Sequence, residues 1–214
     1  MSNNYMCAEC TKLGCQLRDM SKTMAVCPCK DEELQAEAKA LYQNEEDLRI
    51  AVAAAATEHE GYGRMSRMEE IVVFCKKAGY HKIGIIFCTG LQKEAAMVSK
   101  ILRHHGMEVV SVCCKNGSMP KSTIGLRNDQ CLSGNADEAM CNPIGQALVL
   151  NKEKVDFSIL LGLCVGHDTL AIRHLEGPVT VLAAKDRVTM HNPLAAIYGA
   201  EGYYKKRFFG KEEE

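Results

Sequence analysis

The chain has 214 residues, of which 47% are hydrophobic and 25% are charged. This length and composition fit one well-cored domain with a small appendage and argue against disorder. The 26 basic residues nearly cancel the 27 acidic ones, so no overall field favours nucleic acid or an anionic membrane. The N-terminus has no basic stretch followed by an apolar core, and every apolar run is too short to span a bilayer. We therefore expect a cytoplasmic globular protein.

Twelve cysteines are the most unusual feature of the composition. In a reducing compartment, cysteines at this density bind metals or react more often than they form disulfides. Five of them lie in the first 29 residues, and the other seven are scattered along the chain. This distribution predicts two separate sites, one at the N-terminus and one in the rest of the protein.

The segment 1–30 has the spacing Cys-x2-Cys-x4-Cys-x11-Cys-Pro, formed by Cys7, Cys10, Cys15 and Cys27. Two thiolates in Cys-x2-Cys reach one metal from a single turn, and a later pair completes a tetrahedral shell. Because the segment has few hydrophobic residues, a metal would supply the folding free energy that a core cannot. We expect these four cysteines to bind zinc or an iron–sulfur cluster, with Cys29 as a spare sulfur. The alternative is an unstructured terminus with incidental thiols.

Residues 31–80 show the apolar periodicity of three helices that precede the first strand. From residue 81 onward, short apolar runs alternate with helical patterns, which is typical of a parallel sheet covered on both faces. The fold class is therefore α/β, with a Rossmann-like sheet of about four strands in the order 2-1-3-4. Three domains are predicted. Residues 1–30 form a cysteine-rich knuckle, residues 31–80 form a helical segment packed on the core, and residues 81–214 form the α/β core domain. The predicted strands are the runs 82–88, 107–114, 156–164 and 177–186.

Three of the four predicted strands end in cysteine, namely at Cys88, at the pair Cys113 and Cys114, and at Cys164. Ligands of open α/β sheets bind outside the carboxyl ends of the strands, where these side chains gather. Cys141, at the start of a helix, can reach the same edge. We expect Cys88, Cys114, Cys141 and Cys164, or three of them, to hold an iron–sulfur cluster. Any single cysteine in such a position is more often a small core residue.

Five polar residues beside these strand ends are candidate catalytic groups. His167 and Asp168 begin a helix directly after Cys164, where the helix dipole favours a thiolate or another anion. Asp168 is equally well explained as a residue that complements this dipole, whereas His167 is a candidate proton donor or ligand. Asp186 and Arg187 end the fourth strand, and His191 precedes the next helix start.

Three segments together carry a resemblance to a known family: MCNPIGQALVLN, GLCVGHD and KDRVTMHNPLAAIY. With the leading Cys-x2-Cys-x4-Cys and Cys-Pro, they resemble a domain-of-unknown-function family of cysteine-rich proteins from anaerobic bacteria and archaea. The resemblance extends over nearly the whole chain. It implies metal binding and an anaerobic cytoplasm, and it brings no established reaction.

Two functions follow from these patterns, and the residues leave open whether the protein is an enzyme. The first is an iron–sulfur protein, with a 4Fe–4S cluster in the core and redox or sulfur chemistry on a small molecule or with a redox partner protein. The second is a non-catalytic zinc knuckle on an α/β domain that binds a small ligand or delivers metal. The sequence lacks the glycine-rich fingerprint of dinucleotide-binding proteins, because the segment FCTGLQKE has a single glycine. Low net charge and few aromatic residues argue against nucleic acid, and we expect no membrane partner.

Overall fold

A computed structural model describes residues 4–210 of the chain, which folds as two compact units, Met1–Glu60 and Gly61–Glu214. The division falls inside the segment 31–80 that the sequence assigns to one helical region. Along the described residues, every helix is too short or too polar to cross a bilayer.

The N-terminal unit starts with irregular chain and short 3-10 turns, and continues into α1 (Glu32–Leu41) and α2 (Glu45–Gly61). Asp31 caps α1, because its Oδ1 accepts a hydrogen bond from the Leu34 N–H at 3.1 Å. Asn44 does the same for α2 through the Glu46 N–H at 2.9 Å. Asp and Asn are among the residue types that helix N-caps prefer.

The C-terminal unit alternates helices and strands, as the sequence predicts. Its elements are α3 (Arg67–Ala78), β1 (Lys82–Phe87), α4 (Gln92–His104), β2 (Glu108–Cys113), α5 (Pro143–Lys152), β3 (Phe157–Leu163), α6 (His167–His174), β4 (Val179–Ala184), α7 (Leu194–Tyr198) and α8 (Lys205–Phe209). Helix α3 begins with a capping box between Ser66 and Glu69 and ends at Gly79, whose φ of 72° is left-handed.

The four strands form one parallel sheet in the order β2-β1-β3-β4, which confirms the predicted fold class and strand order. Strand β3 is buried along its whole length, which explains why its sequence is apolar except for Ser158. Ile83, Ile85, Ile86 and Ile159 are 0% exposed and lie at the centre of the core. Since all strands are parallel, their carboxyl ends share one edge, which we call the cysteine edge.

Candidate functional site

Cys88 and Cys114 are brought together by the pairing of β1 with β2. The register pairs Phe87 with Cys113, and the ladder continues one residue further, since the Cys114 N–H donates to the Phe87 carbonyl at 2.9 Å. Cys88 and Cys114 therefore follow the two strands side by side. Cys114 is 2% exposed, while Cys88 is only partly buried.

The two thiols differ in their protonation. Burial raises the pKa of Cys114 to about 11, although the Thr89 N–H donates to its Sγ at 3.4 Å and opposes the effect. Burial also disfavours the Cys88 thiolate, but the Gly90 N–H, the Lys185 ammonium and the Cys114 thiol outweigh it and lower the pKa of Cys88. The cysteine edge thus holds a thiol with a raised pKa beside one with a lowered pKa.

Cys164, directly after β3, contacts Arg187. The Arg187 Nη2 donates to the Cys164 Sγ at 3.5 Å. This hydrogen bond with Cys164 is the main reason why the pKa of Arg187 is raised, and Cys88 and Cys141 add to the effect. The three cysteines and this guanidinium therefore share one electrostatic environment.

Cys141 reaches the same edge at the end of the long loop 115–142. The next residue, Asn142, donates its N–H to the Cys114 carbonyl at 2.7 Å, and its Oδ1 caps α5 by accepting from the Gly145 N–H at 2.9 Å. Lys121, in the same loop, pairs with Glu138, and Cys141 contributes to the raised pKa of Lys121. The loop thus brings both a thiol and a cation to the cysteine edge.

His167 and Asp168 begin α6 at this edge, where both of their N–H groups donate to the Cys164 carbonyl, at 2.9 Å and 3.1 Å. Burial lowers the pKa of His167, and the cations Lys115 and Lys121 lower it further. The Asp168 carboxylate has the opposite effect, but it is outweighed. The imidazole is therefore neutral near pH 7 and can accept a proton. Asp168 accepts from the Thr169 N–H at 2.8 Å, which is a local role at the helix start.

Asp186 and His191 shape the loop that carries Arg187. The Asp186 Oδ1 accepts from the Val188 and Thr189 N–H groups at 2.9 Å and 3.0 Å, and the Asp186 N–H donates to the His191 Nδ1 at 3.1 Å. The Thr189 hydroxyl and N–H are the leading causes of the lowered pKa of Asp186. These bonds give both predicted catalytic residues a positioning role in this loop.

In the N-terminal unit, five cysteines line one cavity of about 90 Å³. They are the four predicted ligands and the spare sulfur: Cys7, Cys10, Cys15, Cys27 and Cys29. The Leu13 and Lys12 N–H groups lower the pKa of Cys10, a backbone arrangement that stabilises a thiolate. Hydrogen bonding to Cys27 is the main reason that the pKa of Cys29 is raised, and Cys15 also contributes. Cys29 is therefore part of the cavity.

Within residues 4–210, no group of three or more His, Cys, Asp or Glu side chains is arranged to hold a metal ion. The sulfurs of each site share a neighbourhood without forming a coordination shell. Metal binding at either site, and the division of ligands between Cys27 and Cys29, therefore stay predictions.

The sequence patterns did not indicate the residues that give the cysteine edge its positive charge and a hydrogen-bond donor to Cys114. Lys185 directly follows β4, so its place at a strand end was a usable signal. Thr89 directly follows Cys88, so its place after a predicted strand was a similar signal. Lys115 and Lys121 lie in a loop without periodicity, where the sequence gives no indication of which side chains turn inward.

Comparisons with known proteins give a family but no reaction. The family described as "Protein of unknown function (DUF1847)" matches residues 27–182. An uncharacterized protein of Methanocaldococcus jannaschii is 45% identical over 170 residues, which cover 79% of this chain and 86% of the relative. No solved structure matches the chain. The matched segment includes all four cysteines of the edge and leaves out Cys7, Cys10 and Cys15. The chain belongs to the DUF1847 family of proteins of unknown function.

Proposed function

We propose that this chain is a metal-binding protein whose cysteine edge holds an iron–sulfur cluster and serves redox or sulfur chemistry on a small molecule. The observation that carries the proposal is the gathering of four cysteines among cations at the carboxyl ends of the strands. The cysteines are Cys88, Cys114, Cys141 and Cys164.

The donor set fits such a cluster in its chemistry. Iron–sulfur clusters take thiolate ligands, and a cluster with four thiolates is an anionic group. Lys185, Arg187 and Lys121 would offset this charge, and the Thr89 N–H would keep a hydrogen bond to the Cys114 thiolate. Hydrogen bonds to ligand sulfurs tune the potential of such a centre.

When bound through three cysteines, the cluster would supply an iron that acts as a Lewis acid, and through four it would transfer electrons. The chain's own residues do the rest. His167 is neutral near pH 7 and accepts a proton, while Arg187 and Lys185 attract an anionic substrate to the half-open edge.

The proposal is tested by iron and acid-labile sulfide analysis of protein purified without oxygen. We expect Cys88→Ser and Cys164→Ser to lose most of the iron bound by the wild type. Cys131→Ser is the matched control, because Cys131 is a half-buried thiol that lies in the loop and bonds the Arg127 carbonyl. Unchanged iron in both edge variants would refute the cluster at this edge.

The cavity lined by five cysteines favours a second metal site, of zinc or an iron–sulfur cluster, with a structural role. A chain with zinc here and no cluster at the edge would be a small-ligand or metal-delivery protein. Metal analysis separates the two functions, because Cys10→Ser would then remove all of the metal while Cys88→Ser would remove none.

A further inference from the structure

Cys88 and Cys114 occupy neighbouring positions at the ends of β1 and β2. They are the residues that follow a register pair of neighbouring parallel strands. Such strands lie about 4.8 Å apart, inside the range of Cα separations of about 4.4 to 6.8 Å that disulfides occupy. Cys114 is also among the groups that lower the pKa of Cys88. The neighbouring Cys113 lies opposite Phe87, so its side chain points to the other face of the sheet.

The two members of the pair differ in access. Cys88 is partly exposed at the edge, whereas Cys114 is 2% exposed. A methyl group at Gly90 would lie 3.8 Å from the Cys88 Sγ and 3.8 Å from the Lys185 Nζ. The Lys185 ammonium and the accessible sulfur therefore border the same small space at the edge. Cys114, under the surface, can be reached by Cys88 but not by an external molecule.

We propose that Cys88 and Cys114 form a redox-active dithiol that exchanges with small-molecule disulfides, with Cys88 as the attacking thiol and Cys114 as the resolving thiol. Cys88 forms a bond to one substrate sulfur, and the other substrate sulfur leaves as a thiol after taking up a proton. Cys114 then attacks the Cys88 sulfur, loses its proton and releases the second thiol. Two protein thiols and one disulfide become one protein disulfide and two free thiols.

The dithiol would also regulate the cysteine edge. A disulfide removes two thiolates from the ligand set, so oxidation would block binding of a cluster. This consequence rests on the proposed function, whereas the exchange reaction does not.

The experiment treats reduced, metal-free, full-length protein with oxidised glutathione in the absence of oxygen and maps each cysteine by peptide mass spectrometry. We expect a crosslink between the Cys88 and Cys114 peptides. Cys113→Ser should keep the crosslink and Cys114→Ser should lose it, which separates the two adjacent cysteines. Cys114→Ser should instead retain one glutathione on Cys88, while Cys88→Ser should retain none on Cys114.

Absence of the crosslink in the wild type, or its loss in Cys113→Ser but not in Cys114→Ser, would overturn the dithiol. The wild-type map needs no substitution, so it remains decisive even if a variant folds poorly. Iron uptake distinguishes the two proposals. If the crosslink forms but the re-reduced protein binds no iron, the cluster fails and the dithiol holds. If reduced protein binds iron that Cys164→Ser loses, but never forms the crosslink, the dithiol fails and the cluster holds.

Discussion

At the scale of residues, individual charged side chains set the chemistry of the cysteine edge. Lys185 and the Gly90 N–H favour the Cys88 thiolate, whereas Cys114, next to it, is held as a thiol by burial. Arg187 contacts Cys164 from the loop that Asp186 and His191 hold in place. Neighbouring cysteines at this edge therefore differ in the pKa of their thiols.

Removal of the Lys185 charge should slow the reaction of Cys88. We expect Lys185→Met to raise the pKa of Cys88 and to lower its alkylation rate at pH 7.5 by about threefold to tenfold. The measurement is the rate of iodoacetamide modification of the Cys88 peptide as a function of pH. Lys152→Met, at the end of α5, is the control and should react like the wild type. Equal rates in all three proteins would show that Lys185 has no influence on Cys88.

The pairing of Glu138 with Lys121 should hold the loop 115–142 down to low pH. Hydrogen bonds from Lys121 and Ser133 lower the pKa of Glu138 to about 2, from an ordinary value of 4.5. A depressed carboxyl pKa stabilises the folded loop above pH 4.5, and this stability is lost as the pH falls through about 2. The Ser133 amide should therefore stay protected from hydrogen exchange at pH 4. In Glu138→Gln the same amide should lose this protection already at pH 7. An equally protected amide in the variant would contradict the assignment.

At the scale of elements, the close packing of α5 on β1 fixes the position of the cysteine edge. A methyl group at Gly84 in β1 would lie 2.5 Å from the Leu150 Cδ1 and 3.1 Å from the Val155 Cγ2. The buried Gln146 of α5 donates to the Phe87 and Val112 carbonyls at 3.0 Å and 2.7 Å. These contacts hold the ends of β1 and β2 together, directly before the two cysteines.

Gly84→Ala should therefore destabilise the protein by about 1–3 kcal/mol through overpacking. Thermal unfolding measures the change. Gly177→Ala is the matched control, because its methyl group would have only ordinary contacts, at 3.7 Å from the Val155 carbonyl oxygen. If both variants melt together with the wild type, α5 does not pack on β1 as described.

The sheet could be predicted from the sequence because each strand is a short apolar run that ends at a cysteine or an aspartate. Strand β3, for example, is buried from Phe157 to Leu163 and is apolar except for Ser158. The cations could not be predicted in the same way. Lys121 comes near Cys141 through loop turns that include a left-handed Gly125 and a bond from its own N–H to the Glu138 carbonyl at 3.1 Å. No periodic pattern encodes such contacts.

At the scale of the whole molecule, the two units differ in how they are stabilised. The C-terminal unit has a buried aliphatic core around β1 and β3. Among the described residues of the first 30, by contrast, two are buried, Gly14 and Thr23, and a methyl group added at Gly14 would lie 2.6 Å from the Asp19 carbonyl oxygen. Such a segment lacks the apolar burial that would hold it folded.

Metal should therefore protect the first 30 residues from proteolysis. We expect a strong chelator to expose cleavage sites in 1–30 while the C-terminal unit stays intact. Mass spectrometry of fragments from limited proteolysis, with and without chelator, measures this. The control is the chelated protein after zinc or iron is restored, which should regain resistance. Equal resistance with and without chelator would rule out a metal-dependent N-terminal unit.

Whether the cysteine edge holds an iron–sulfur cluster is decided by purification of the protein without oxygen. We expect a brown protein with charge-transfer absorption in the visible range, and with iron and acid-labile sulfide in equal amounts. The colour should persist in Cys10→Ser, which removes a ligand of the N-terminal cavity, and should disappear when Cys88→Ser is added to it. A colourless wild-type protein that contains stoichiometric zinc and no iron would show that the edge holds no cluster.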